Sequence, residues 1–202
     1  MVMHLRIIGI VIALLGIIAI FEVRPGPALL ARPRPVRTTA VMRAVATPGY
    51  SIPVVSNGPA ISALPIDGLA AKDLHDSFND RRGLGRHEAI DIMEPRGTPV
   101  HAVVNGTVAR LFLSKSGGNT IYLFDDQGVY CYYYAHLDHY AAGLAEGSRV
   151  SAGDLIAYVG STGNASATAP HLHFTIFELG TEKQWWKGTA LDPYPILMQA
   201  VR

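Results

Sequence analysis

From about Leu64 onward the chain alternates short apolar runs with glycine-bearing turns, and no long stretch repeats its apolar residues at a helical period. That texture predicts a mainly β, antiparallel domain over residues 64–198. Six runs read as strands: Thr98–Val104, Thr107–Leu113, Asn119–Phe124, Val129–His136, Asp154–Val159 and His171–Glu178. Turns are expected at Asn105-Gly106, Gly117-Gly118, Gln127-Gly128 and Gly160 to Gly163. The nearest approach to a helix, Tyr140 to Glu146, is broken by Gly143. With 49% hydrophobic and 16% charged residues in 202, there is material for one core. The formal net charge of +1 excludes a broadly basic nucleic-acid binder. Cys131 is the only cysteine, so neither an intrachain disulfide nor a multi-cysteine metal site can form, and any metal must take histidine and carboxylate ligands. Cys131 itself, in a run of tyrosines, reads as a buried structural thiol.

Two segments precede this domain. Ile7 to Phe21 is fifteen residues without a charge, and residues 1–23 read as an N-terminal transmembrane anchor or a signal segment. The anchor is preferred, because Ala28-Leu29-Leu30-Ala31 puts leucine where a cleavage junction needs a small residue. Residues 24–63 form a Pro/Arg linker. Between Arg24 and Pro59 there are seven prolines and five arginines with no acid, a composition that favours extended chain and reaches about 30 to 35 Å as a coil. The positive-inside rule places such a basic flank in the cytoplasm, which conflicts with an external substrate.

The five informative histidines fall into three groups: His87 with Asp91, His136 with His139, and His171 with His173. Residues two apart on a strand share a face, so His171 and His173 can address one cavity while Leu172 and Phe174 pack behind them. His87 and Asp91, four apart, share a face either in an extended chain or in one helical turn. Two imidazole nitrogens and one carboxylate oxygen, with a fourth position left for water, make a catalytic type of zinc site. His139, three beyond His136, is expected to face away. His4, His75 and His101 read as flank, surface and ordinary strand residues, Asp125-Asp126 as turn chemistry, and Trp185-Trp186 as packing of the C-terminal segment.

Ser77-Phe78, the segment Arg86-His87-Glu88-Ala89-Ile90-Asp91-Ile92, Gly97-Thr98-Pro99-Val100, Asn105-Gly106-Thr107-Val108, Gly118-Asn119, Tyr134-Ala135-His136-Leu137, Gly153 to Gly163 and His171-Leu172-His173-Phe174 occur in this order. Together they resemble the lysostaphin-type (LytM-like) zinc metallopeptidases, which cleave peptidoglycan peptides. The resemblance covers roughly Ser77 to Glu178. It implies that His87, Asp91 and His173 hold Zn2+, that His136 and His171 are catalytic without binding metal, and that an antiparallel, sandwich-like sheet carries the site in an open groove. It also implies zinc-assisted hydrolysis of peptide cross-links in peptidoglycan. On that basis the chain is expected to cross the inner (cytoplasmic) membrane once through its N-terminal helix, with the catalytic domain periplasmic or extracellular. A protein partner is left open. Two positions depart from the family pattern: Ala89 stands for the usual glycine, and Thr175 for a common glutamate. The alternative is a non-catalytic or autoinhibited domain of the same kind that binds the wall or activates other hydrolases, residues 44–66 lying over the groove in the autoinhibited case.

Overall fold

The computed structural model describes residues 58–202 apart from residue 84. The anchor expected at 1–23 and the linker up to residue 57 lie outside the described residues. A short hairpin, β1 (Arg81–Arg82) and β2 (Gly85–Arg86), precedes a nine-stranded sheet. In chain order the sheet's strands are β3 (Ile90–Met93), β4 (Pro99–His101), β5 (Gly106–Ser114), β6 (Gly118–Asp125), β7 (Tyr130–Tyr140), β8 (Arg149–Val150), β9 (Leu155–Val159), β10 (His171–Leu179) and β11 (Gly188–Leu191). A seven-residue helix, α1 (Tyr194–Ala200), follows. Every strand pairing is antiparallel.

The main path of the sheet runs in the order β11-β10-β7-β6-β5-β8, and the sheet branches where β3 joins β10 and where β9 joins β7 and β4. The expected β architecture is therefore present as one branched sheet. The expected strand at Thr98–Val104 is only three residues long, Pro99–His101, and its register shifts between Val100 and His101. Short strands such as β3, β8 and β11 carry too few residues to show a period and leave no strand signal in the sequence.

The two faces of the central strands differ. Leu172, Phe174 and Ile176 of β10, Ile90 and Ile92 of β3, Ile121 and Leu123 of β6, and Tyr132 and Tyr134 of β7 are all buried on one side. Val100, Ile156, Leu197, Ile66 and Leu69 complete that core. Fully burying each such side chain is worth about 1.5–3 kcal/mol, so this face anchors the sheet. The segment before the hairpin belongs to the core side: Ile61 and Leu64 pack on it, Ala60 O accepts from the Tyr132 hydroxyl, and Ser62 N donates to Val103 O. None of residues 58–66 lines the cavity on the other face. For that described stretch, an inhibitory position over the groove does not occur.

Gly163 ties the loop before β10 to the start of β6. Its φ is +75°, and a Cβ there would run into Gly118 N and Ser116 O. A Gly163→Ala chain is expected to lose roughly 2–4 kcal/mol of stability in urea unfolding, from left-handed strain plus overpacking.

Candidate metal centre

β10 presents His171 and His173 on the face opposite Leu172 and Phe174, as the two-residue period requires. Its register places His173 opposite Asp91 of β3 on one edge and opposite Ala135 of β7 on the other. His87 arrives differently. It lies in neither a strand nor a helix; the next residue, Glu88, has φ +56°, and this left-handed step turns the chain into β3. His87 and Asp91 do meet, but through that turn and not through a plain strand or a helical turn.

Three atoms converge. His87 Nε2 lies 3.0 Å from Asp91 Oδ1 and 3.1 Å from His173 Nδ1, and His173 Nδ1 lies 3.2 Å from Asp91 Oδ1. The edges of a tetrahedron with zinc-to-ligand lengths near 2.05 Å are about 3.3 Å, so the triangle has the size that zinc requires. Its chemistry agrees with its size. The other nitrogen of His87, Nδ1, lies 3.1 Å from Ser77 O, and because a carbonyl only accepts, Nδ1 carries the hydrogen and Nε2 of the neutral ring keeps its lone pair. One proton on His173 Nδ1 cannot fully satisfy both neighbours, whereas a divalent cation serves all three.

The surroundings fix charge states. Burial pushes the Asp91 carboxyl up, but its close contacts with the His173 and His87 imidazoles outweigh it and hold the group well below the usual carboxylate range. Asp91 Oδ2 accepts from Arg82 Nη2 at 2.8 Å. Burial also lowers the His173 imidazole, against the raising effect of Asp91.

His136 stands beside this triangle because β7 carries a bulge. The register with β6 shifts between Ile121, opposite Tyr134, and Asn119, opposite Leu137, and His136 occupies the extra place with φ +59°. Its backbone N donates to Gly117 O, and its Nδ1 lies 2.9 Å from Thr162 O. The His171 Nδ1 lies 2.9 Å from Ala169 O. By the same carbonyl argument, both neutral rings keep bare Nε2 atoms. The His136 and His171 rings meet edge to face at 4.8 Å, and His171 Nε2 is 3.7 Å from Asp91 Oδ1. Desolvation, set against the Thr162 hydrogen bond, pulls the His136 pKa down to about 4. All five histidine and aspartate positions line one open cavity of about 430 Å³, with Tyr133, Ser116 and Asn164 among its walls.

Other expectations resolve simply. His139 points outward, pairs with Asp138 and stacks on Tyr158. Cys131 is buried, and burial pushes its thiol far up. Asp125 caps its turn through Val129 N and Tyr130 N. Trp185 packs on Phe112 and Tyr122, whereas Trp186 is exposed. Arg82 carries no site signal of its own in the sequence; the turn residues Asn79-Asp80 and Gly83 around Arg81-Arg82 are the one hint of a hairpin there.

The two departures from the family pattern have local explanations. Ala89 is buried and has no positive φ, so nothing at that position demands glycine. Thr175, also buried, donates its hydroxyl to Glu88 O at 2.6 Å, gripping the left-handed residue between His87 and Asp91.

The sequence profile of peptidase family M23 matches residues 85–193. The chain is 37% identical over 117 residues to the glycyl-glycine endopeptidase ALE-1 of Staphylococcus capitis, covering 57% of this chain and 30% of that protein. To the L-Ala–D-Glu endopeptidase of Bacillus subtilis it is 32% identical over 143 residues, covering 67% of this chain and 42% of that protein. The chain thus spans less than half the length of either relative. A zinc-containing peptidase from Vibrio cholerae shares the fold with a TM-score of 0.51 and 25% identity, over 67% of this chain and 40% of that one.

Removing the Thr175 hydroxyl takes away the hydrogen bond that holds the Glu88 carbonyl between His87 and Asp91. Thr175→Val is expected to weaken zinc binding about tenfold in a chelator competition, with Thr175→Ser close to the parent.

Proposed function

Because the chain belongs to peptidase family M23, we propose that it is a zinc-dependent endopeptidase that hydrolyses peptide cross-links of bacterial peptidoglycan. The observation that carries this reading is the convergence of His87 Nε2, Asp91 Oδ1 and His173 Nδ1 beside two further imidazoles in one open cavity. Zinc held by these three residues supplies a Lewis acid that polarises a carbonyl and acidifies water.

The chain's own groups do the rest. His136, kept neutral by desolvation and fixed in tautomer by Thr162 O, accepts a proton from the attacking water at Nε2. The proton that His136 takes up then passes to the leaving amine, while His171, whose Nε2 lies 3.7 Å from Asp91 Oδ1, flanks the developing oxyanion. Arg82 holds Asp91 Oδ2, so that Oδ1 stays turned toward the two imidazole nitrogens. The cavity is open to solvent, so a peptide can reach the three converging atoms. In this reading residues 1–23 anchor the chain in the inner membrane, and the Pro/Arg-rich residues that follow carry the domain on the periplasmic or extracellular side.

Metal content and muropeptide release, measured side by side on the full chain, test the reading. The parent is expected to hold one zinc and release peptides. His87→Ala is expected to lose the metal, and His136→Ala to keep it while losing about 10²- to 10⁴-fold in kcat. Zinc without any release of peptides would contradict the proposed activity. Since His136 must be neutral to accept a proton, the acid limb of kcat/KM attributable to it is expected below the ordinary imidazole range, toward about 4, in a pH–rate profile.

A further inference from the structure

Two arginines stand at the mouth of the cavity, and the hydrolysis described above uses only one donor of one of them. The β1–β2 hairpin pairs Arg82 with Gly85 and Arg81 with Arg86, and both Arg82 and Arg86 line the same cavity as the histidines. The single acid among the fourteen described lining residues is Asp91. Its charge is already engaged, with Oδ1 between His87 and His173 and Oδ2 on Arg82 Nη2. Arg86 has only a neutral partner: its Nη1 donates to the amide oxygen of Asn79 at 2.9 Å. No acid pairs with Arg86 among the described residues. Ser116, Gly117, Asn164, Ala165 and Ser166, also in the cavity wall, are uncharged. The hairpin side of the groove therefore carries an uncompensated guanidinium next to a second one with donors to spare.

Building on the peptidase reading of this groove, we propose that Arg86, assisted by the free donors of Arg82, forms a carboxylate-binding subsite. The preferred substrate then carries a free carboxylate on a residue adjoining the scissile amide, as in an acidic stem peptide, and is not an uncharged glycine bridge or an amidated stem. A planar guanidinium takes a carboxylate through two parallel hydrogen bonds, which a carboxamide cannot match in charge or geometry. Both side chains are exposed to solvent, so the preference is moderate and falls with salt.

The test is calorimetric binding of a matched peptide pair, one with the free carboxylate and one with the carboxamide, to the zinc-loaded full chain. A His136→Ala background prevents turnover during the titration. The acid is expected to bind roughly tenfold tighter than the amide at low salt. Arg86→Gln is expected to bring that ratio toward one, and Arg86→Lys to retain part of it. Equal binding of the two peptides, or an equal weakening of both by Arg86→Gln, overturns the subsite. Muropeptide release by the parent chain is scored separately. Hydrolysis without a carboxylate preference overturns this inference alone, whereas a carboxylate preference without hydrolysis supports the subsite and overturns the peptidase reading.

Discussion

The position of β10, hydrogen-bonded to β3 on one edge and β7 on the other, is the constraint on which the site depends. A register slip of one residue along β10 would turn His171 and His173 into the core and Leu172, Phe174 and Ile176 out to the cavity. Burial of those three apolar side chains forbids that slip, since each exposed one would forfeit about 1.5–3 kcal/mol. The same pairing that satisfies the core therefore sets His173 opposite Asp91 and opposite Ala135, one residue before His136. Site geometry follows from core packing.

Backbone carbonyls then finish what the register begins. Ser77, Thr162 and Ala169 each face the Nδ1 of a site imidazole, so three rings are held in one tautomer with Nε2 bare. Each of those carbonyls sits in a loop held by other bonds. Glu88 N donates to Phe78 O next to Ser77, and Thr162 Oγ1 bridges Leu137 O and Asn119 N. The glycine contact between Gly163 and Gly118 lets that loop lie flat against β6. Of these three rings His87 is the one assigned to the metal, and metal binding would meet it already oriented, which lowers the entropy lost on coordination.

Much of this was legible in the sequence for physical reasons that can be stated. His171 and His173 share a face because a strand has a period of two, and the apolar Leu172 and Phe174 fix which face that is. The long strands were visible through their alternation and bounding glycines, and the bland readings of Cys131 and His139 agree with the burial of the one and the exposure of the other. Three features were hidden. The left-handed turn at Glu88 leaves no mark in residue type, since a non-glycine residue occupies it. The bulge at His136 depends on the register of β6 against β7, which a single strand cannot reveal. Arg82 and Arg86 reach the site through a hairpin of two-residue strands, too short for any periodic signal. The roles assigned to the five site residues came from the resemblance to a family, because spacing alone left several histidine pairings open.

Zinc K-edge absorption spectroscopy of the full chain loaded with one equivalent of zinc addresses the central claim most directly, because it reads the ligand set without reference to activity. Two imidazole ligands and a shell otherwise made of oxygen are predicted, with the spectrum of His171→Ala unchanged in its imidazole count and that of His173→Ala reduced by one. A third imidazole in the parent that disappears in His171→Ala, or a spectrum indifferent to His173→Ala, would contradict the assignment of His87, Asp91 and His173 as the metal-holding residues.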